Sequence, residues 1–245
     1  MYNFFSETPI INGNFRICGG DYNHIKNVLR MKKGETFLVS YQGKSHLCEL
    51  DGFEDDCIIA KVLEENYQDT SLPIEIYLFQ GLPKADKLEL IIQKTVELGV
   101  DFIIPVEMSR SIVKLDDKKK DGKTARWQSI AESAAKQSKR TAIPTVKKAI
   151  SFKESLALAS QMDLFLVPYE SKNGMQDTID AFKCLKKGMK VGIMIGPEGG
   201  FSEDEIEQAL SIGGKIISLG KRILRTETAA ITTASALMLY AETCL

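Results

Sequence analysis

A glycine-rich turn is the segment of the sequence best suited to bind a ligand or take part in a reaction. Residues 195–206 read Ile-Gly-Pro-Glu-Gly-Gly-Phe-Ser-Glu-Asp-Glu-Ile and follow an apolar run typical of a buried strand. Ser202 and Glu205 have the spacing of a capping box, which predicts a helix start. Glycines allow a ligand to approach the backbone closely, and open α/β sheets bind ligands beyond the carboxyl ends of their strands. The turn matches neither G-x-G-x-x-G nor Walker A, so it indicates either a ligand loop of another kind or an ordinary strand-to-helix connection.

A second segment, residues 219–230, combines basic and apolar side chains. It reads Leu-Gly-Lys-Arg-Ile-Leu-Arg-Thr-Glu-Thr-Ala-Ala and connects a predicted strand at 215–218 to a long C-terminal helix. Thr226 is the predicted N-cap, and Glu227 complements the positive helix end. Ile223 and Leu224 stand in a loop between basic residues, so we expect them to pack against either a ligand's aromatic ring or the core.

Basic residues are concentrated between positions 110 and 148, a range that contains 12 lysines and arginines but only four acidic residues. Such a local field suits a polyanion, because each neutralised phosphate releases counterions. A solvated helix face with a charged loop explains the same composition equally well.

The remaining pattern predicts two domains. Residues 1–70 contain predicted strands at 35–41, 44–50 and 57–63 separated by turns. From about residue 72 strands and helices alternate, which predicts an α/β domain with a mostly parallel sheet over 71–245. Predicted strands there are 74–79, 102–106, 164–167 and 191–195, and predicted helices are 86–98, 124–139, 152–160 and 177–185.

Composition excludes several classes of protein. With 245 residues, 44% hydrophobic and 27% charged, the chain is neither disordered nor filamentous. No apolar stretch reaches the roughly 20 residues of a membrane span and no signal peptide is recognisable, so we expect a cytoplasmic protein. The five scattered cysteines are expected to be reduced and mostly buried. With two histidines and no C-x-x-C, no metal site is expected.

The two segments described first resemble those of a known protein family. The two segments together are similar to the signature of the SPOUT methyltransferases, and within them to the small-subunit rRNA uridine-N3 methyltransferases. Further agreement spans nearly the whole chain in order: His24-x-x-x-Val28-Leu29-Arg30, Lys84-x-Asp86-Lys87, residues 93–100 (Gln-Lys-Thr-Val-Glu-Leu-Gly-Val), Arg110-Ser111, Arg126-Trp127 and Ala134-Ala135-x-Gln137-Ser138-x-Arg140.

The resemblance implies a fold and a cofactor. It implies an N-terminal PUA-like β-barrel and a C-terminal α/β domain with a trefoil knot and helices on both faces of the sheet, acting as a homodimer. It also implies S-adenosylmethionine (SAM) held by three loops at 166–169, 196–200 and 219–225. From the glycine-rich turn we predict that Gly199→Val weakens cofactor binding by steric blockage and leaves the fold largely intact. The implied cofactor-binding residues are Leu166, Val167, Pro168, Ile195, Gly196, Pro197, Gly199, Gly200, Leu219, Gly220, Ile223 and Leu224.

The resemblance implies a reaction as well: methylation of N3 of uracil 1498 in 16S rRNA, within the small ribosomal subunit. Because this nitrogen carries a proton, we predict Glu198 as its acceptor and Arg225 as the group that stabilises the resulting charge. An equally good role for Glu198 is to complement the positive end of the helix dipole. The alternative role of Arg225 is to bind a backbone phosphate. Predicted RNA contacts are Arg30, Lys84, Lys87, Arg110, Arg126, Lys139 and Arg140.

Two alternatives stay open from the sequence. The first is a SPOUT enzyme that methylates a ribose 2′-oxygen or another base. The second is a non-catalytic RNA-binding module that keeps the barrel and the basic residues but binds no SAM.

Overall fold

A computed structural model describes residues 1–169 and 174–245, and the side chains of all of these except residues 117 and 118. The chain divides into two compact units. The first comprises residues 1–71 and 135–143, and the second comprises residues 72–134 and 144–245.

The first unit is built on a five-stranded sheet in the order β1-β3-β4-β5-β2. All its strand pairs are antiparallel except β1 with β3. Register shifts between β4 and β5 are irregularities of the kind that bend a sheet. The inward side chains, among them Phe4, Phe15, Phe37 and Leu50, form one apolar core. The strands are β1 (Asn3–Phe5), β2 (Asn14–Cys18), β3 (Thr36–Tyr41), β4 (Lys44–Glu54) and β5 (Cys57–Glu64).

A disulfide corrects the expectation that all cysteines are reduced. Cys18 and Cys57 face each other in the antiparallel register of β2 and β5, with their Cα atoms 4.2 Å apart, and their sulfurs are bonded. Cys48 is free and buried, whereas Cys184 and Cys244 are free and exposed. The pairing arises from strand register, which the scattered cysteine positions do not reveal.

The second unit contains a seven-stranded sheet in the order β12-β10-β11-β6-β7-β8, with β9 also paired to β7. Every described pair in it is parallel, as predicted. The central strand is buried from Val191 to Ile195, which confirms a strand covered on both faces. The strands are β6 (Glu75–Gly81), β7 (Phe102–Glu107), β8 (Thr145–Val146), β9 (Ile150–Ser151), β10 (Leu164–Pro168), β11 (Lys190–Ile195) and β12 (Lys215–Ile217).

Helices connect these strands. Ser202 accepts a hydrogen bond from the backbone of Glu205, which confirms the predicted capping box, and Ser151 forms a second capping box with Glu154. A single turn of α-helix over Gly20–Asn23 is followed by a π-helix over His24–Val28. The α-helices are α1 (Gly20–Asn23), α2 (Lys87–Glu97), α3 (Asp117–Gln137), α4 (Phe152–Ala159), α5 (Gln176–Phe182), α6 (Glu203–Ser211) and α7 (Thr226–Cys244).

Among the residues that the structure describes, no helix is long and apolar enough to span a bilayer.

Candidate functional site

An open cavity of about 660 Å³ lies where β10, β11 and β12 end in the second unit. Three chain segments that are far apart in sequence, together with Lys87, form its wall. The sheet order explains this, because β10 lies between β11 and β12 and brings their carboxyl ends together. The lining residues are Lys87, Pro168, Tyr169, all of 195–201, all of 218–226 and Ala229.

The glycine-rich turn depends on a glycine of the neighbouring strand. A Cβ atom added to Gly81, at the end of β6, would lie 2.6 Å from Pro197 Cδ. Within the turn, the Gly200 amide donates to the Pro197 carbonyl at 2.9 Å, and Gly200 has a φ of 66°, which favours glycine. The turn can therefore pack against β6 and fold back on itself.

Gly199 faces the protein itself. A Cβ atom here would lie 2.9 Å from Arg110 Cβ, and the Arg110 guanidinium donates to the Gly199 carbonyl at 3.1 Å. The buried Glu205 carboxylate accepts from the Ser109 amide at 2.8 Å and from the Ser202 amide at 2.9 Å. Glu205 thus links the segment after β7 to the start of α6, and the small size of Gly199 lets the two segments meet.

A buried polar network fixes the floor of the cavity. The Thr226 hydroxyl donates to the Gly196 carbonyl at 2.6 Å and accepts from Gln80 Nε2 at 2.9 Å. Gln80 Nε2 also donates to the Gly81 carbonyl, while its buried Oε1 has no partner among the described residues. The network joins β6, the glycine-rich turn and α7. The prediction of Thr226 as N-cap is wrong: Arg225 occupies that position, and the Thr226 hydroxyl is used across the cavity floor.

Glu198 is held by an ion pair. Its carboxylate accepts from Lys87 Nζ at 2.9 Å and from the Lys84 amide at 3.0 Å. Burial raises the pKa of Glu198, but the Lys87 hydrogen bond, together with the backbone amides of Glu198 and Lys84, outweighs it and leaves the pKa below its ordinary value. The Glu198 hydrogen bond raises the pKa of Lys87. Lys87 Nζ also lies 3.7 Å from Glu227, so one ammonium serves two carboxylates.

The segment after β12 is anchored at both ends. At one end the Thr178 hydroxyl donates to the Ser218 carbonyl at 2.7 Å and accepts from its amide at 2.9 Å. At the other end Thr226 is fixed in the cavity floor. Between them Ile223 is 96% exposed, which is unusual for an isoleucine. Three cations of the segment, Lys221, Arg222 and Arg225, are exposed on the cavity wall.

Most of the residues predicted to bind a cofactor lie together in this wall. Ten of the 12 line the cavity: Pro168, Ile195, Gly196, Pro197, Gly199, Gly200, Leu219, Gly220, Ile223 and Leu224. Leu166 and Val167 lie just before it, fully buried within β10. Both predicted catalytic residues, Glu198 and Arg225, line it.

The predicted RNA-binding residues fall into two groups. In the second unit, Lys84 and Lys87 meet at Glu198, Arg110 contacts Gly199, and Arg126 forms a two-pronged ion pair with Glu89 on α2. In the first unit, Arg30 and Lys139 are exposed, whereas Arg140 is buried. The side chains of residues 117 and 118, which belong to the basic cluster of 110–148, lie outside the described residues.

Sequence reasoning missed several residues of the site. Phe201 and Ser218 line the cavity next to predicted residues, and adjacency to the motifs is the signal that would have added them. Gln80 and Glu205 act through buried hydrogen bonds, and no local pattern distinguishes them from other polar residues.

A parallel α/β sheet with a glycine-lined cavity beyond its strand ends defines a ligand-binding α/β protein. Comparison with known families is more specific. Residues 70–238 match the family model described as RNA methyltransferase domain, and residues 17–52 match RNA methyltransferase PUA domain.

Individual relatives agree. The chain is 42% identical over 233 residues to ribosomal RNA small subunit methyltransferase E of Bacillus subtilis, covering 93% of this chain and 91% of the relative. The crystal structure of ribosomal RNA small subunit methyltransferase E from Neisseria gonorrhoeae bound to SAM has a TM-score of 0.81 at 30% identity and coverage of 98% and 97%. A putative methyltransferase from Legionella pneumophila in complex with SAM gives 0.82 at 28% identity, with coverage of 97% and 96%. The chain therefore belongs to the ribosomal RNA small subunit methyltransferase E family of RNA methyltransferases.

Proposed function

We propose that the protein transfers a methyl group from SAM to N3 of a uridine in small-subunit rRNA, at uracil 1498 of 16S rRNA. One observation carries this proposal. The glycine-rich turn and the segment after β12 meet around a single open cavity, and the protein's own side chains do not fill it.

The cavity fits SAM in size and chemistry. Its volume of about 660 Å³ lies within the roughly 300–1,000 Å³ of sites for ligands of this size. Leu219, Ile223 and Leu224 supply apolar contact area for an adenine ring, and the glycine-rich turn exposes backbone groups to polar atoms. When bound, SAM supplies an electrophilic methyl carbon. The chain's own contribution is to hold a uracil in line with that carbon, and positioning of this kind is worth up to about 7–11 kcal/mol.

Arg225 and Glu198 contribute differently to the proposed reaction. Arg225 is exposed on the cavity wall, where its charge stabilises a uracil that has lost its N3 proton. Two observations weigh against Glu198 as the proton acceptor: its carboxylate is already bonded to Lys87, and its pKa is lowered, which makes it a weaker base. We therefore propose that Glu198 positions the turn and that the charge of Arg225 promotes ionisation of the uracil, whose N3 proton passes to solvent water at the open cavity.

The substrate requirements follow from the chemistry of uracil. N3 is hidden in a base pair, so the enzyme takes an unpaired or flipped base. Exposed cations of both units are proposed to contact the RNA: Arg30 and Lys139 of the first unit, and Lys84 and Arg110 of the second.

Family resemblance supports three further proposals: that the enzyme is a homodimer, that it acts in the cytoplasm on the small ribosomal subunit, and that the chain of its second unit forms a trefoil knot. Light scattering of the purified protein tests the dimer.

Nucleoside analysis tests the reaction. The purified protein is incubated with SAM and unmodified small ribosomal subunits, and the digested RNA is examined by mass spectrometry. We expect 3-methyluridine. A methylated ribose or another methylated base would overturn the N3 assignment, and undetectable SAM binding by calorimetry at millimolar concentration would support a non-catalytic RNA-binding protein.

A further inference from the structure

We propose that Lys221 and Arg222, at the mouth of the cavity, bind backbone phosphates of the RNA beside the target nucleotide. This inference rests on the proposed function and adds to it two residues that hold the RNA strand at the site. The sequence motifs connect the segment only with the cofactor.

The charge balance of the cavity wall favours an anionic partner. The wall contains four cations and one carboxylate: Lys87, Lys221, Arg222, Arg225 and Glu198. Lys87 already forms ion pairs with Glu198 and Glu227. Lys221 and Arg222 are exposed, and no acidic group of the described residues lies within 4.0 Å of either. Their charges are therefore available at an opening where a polyanion is to react.

Other basic residues near the site already have hydrogen-bond partners within the protein. Arg126 is bound at 2.8 Å by the Glu89 carboxylate through two nitrogens, and Arg110 donates to the Gly199 carbonyl. A phosphate that contacts Arg126 would compete with that carboxylate, whereas Lys221 and Arg222 form no ion pair with a carboxylate of the residues that the structure describes. Counterion release favours the latter pair.

The backbone holds the two cations in place. The Thr178 hydroxyl fixes Ser218, and Thr226 is fixed by Gln80 and the Gly196 carbonyl, so the segment between them spans two anchors. Gly220, with a φ of 103°, turns the chain just before Lys221. A segment held in this way loses little conformational freedom when a phosphate binds, which favours specific contacts.

The carboxylate of SAM is the competing anion for these side chains, and a double variant separates the two. In Lys221→Ala/Arg222→Ala we measure the affinity for SAM by calorimetry and the affinity for an unmodified 16S rRNA transcript over a range of salt concentrations. Both residues are exposed, so the fold is retained. The matched control is Lys186→Ala/Lys187→Ala, which removes two adjacent exposed cations that do not line the cavity.

We expect the cavity variant to bind SAM as the wild type does and to bind RNA less well. The slope of log affinity against log salt should fall by about 1.4, since each phosphate contact to a single strand contributes about 0.7. The control variant should keep the wild-type slope, and Arg222→Lys, which keeps the charge, should keep most of it.

An unchanged slope, or a loss of SAM affinity without a loss of RNA affinity, would overturn the inference. The proposed function fails separately, by the absence of 3-methyluridine from the wild-type reaction, while the salt slopes of the variants still report on phosphate contacts.

Discussion

Glu198 shows how a carboxylate can occupy an active cavity without being its base. It accepts hydrogen bonds from Lys87 and from the Lys84 amide, and a glutamine can accept both through Oε1. We predict that Glu198→Gln lowers kcat by less than tenfold, whereas loss of a general base costs about 10²–10⁴. Single-turnover methylation across a pH series measures this. A loss of a hundredfold or more, together with a missing acidic limb of the pH profile, would restore Glu198 as the base.

The same ion pair predicts a pH dependence of stability. Because the pKa of Glu198 is lowered by folding, the pair stabilises the protein fully above the ordinary glutamate value of 4.5 and loses this effect as pH falls below it. The pKa of Lys87 is raised, so its contribution is present below 10.5 and is lost only above that value. The stability difference between wild type and Glu198→Gln should therefore be constant near neutrality and shrink in acid.

Chemical denaturation at several pH values measures this difference. Glu207→Gln, which removes an exposed carboxylate of α6, is the matched control. A Glu198 difference that grows in acid would contradict the proposed linkage.

Gly199 is constrained by a neighbouring segment, which changes the meaning of its substitution. The sequence alone predicts that Gly199→Val blocks the cofactor, yet the first atom an added side chain meets is Arg110 Cβ. We predict that Gly199→Ala weakens SAM binding several-fold by displacing the Arg110 segment, and that Arg110→Gly in the same chain restores much of the loss. Calorimetry measures both variants. Gly52→Ala, where a Cβ meets no atom within 4 Å, is the control; failure of the rescue would indicate direct obstruction of the ligand.

At the scale of elements, the cavity floor depends on the first residue of α7. Thr226→Val removes a hydroxyl that donates to the Gly196 carbonyl and accepts from the Gln80 side-chain amide. Both buried groups then lose that hydrogen bond. We predict a loss of about 1–3 kcal/mol in the free energy of unfolding, accompanied by weaker SAM binding. Urea denaturation and calorimetry check the two effects.

Thr233→Val is the matched control for Thr226. It lies in the same helix and is equally buried, but its hydroxyl donates to the Ala229 carbonyl within the helix. We expect a smaller effect there and none on SAM. Equal effects of the two substitutions would show that the network is not specific to the cavity.

Elements with a strong local signal were predictable from the sequence. Serine and glutamate three residues apart mark the starts of α4 and α6. Apolar runs, broken only by Gly192 in β11, mark the buried strands β10 and β11. The strands β1, β2, β8 and β9 were not predicted. They are two to five residues long, too short for a periodic pattern, and their pairing with distant strands determines them.

At the scale of the whole molecule, the disulfide is a long-range link that the sequence did not reveal. Cys18 and Cys57 are 39 residues apart, and only the register of β2 with β5 brings them together. We predict that Cys18→Ala/Cys57→Ala lowers the free energy of unfolding of the first unit by about 2–4 kcal/mol, because a crosslink restricts the unfolded chain. Denaturation of the full chain with and without reductant measures this.

Cys184→Ala is the control for the disulfide, since this cysteine is free and exposed. It should leave stability and the effect of reductant unchanged. If the double variant and the reduced wild type are as stable as the oxidised protein, the two sulfurs do not form a stabilising bond in solution.

The candidate site was predictable in outline because its two main segments have distinctive local sequences. What brings them together is strand order, with β10 between β11 and β12, and no local pattern encodes that order. The same limitation applies to Lys87, which was predicted to bind RNA but lies in the cavity wall, paired with Glu198 and Glu227. Its position follows from the packing of α2 against α7.

The placement of residues 218–229 in the cavity wall has a consequence for synthesis of the protein. A nascent chain that has emerged only as far as β12 already contains every described strand of the parallel sheet, yet it has no complete ligand site. Products of premature termination before this point are therefore expected to be inert, because they lack part of the ligand site. The ligand site is therefore complete only after residues 218–229 have been synthesised.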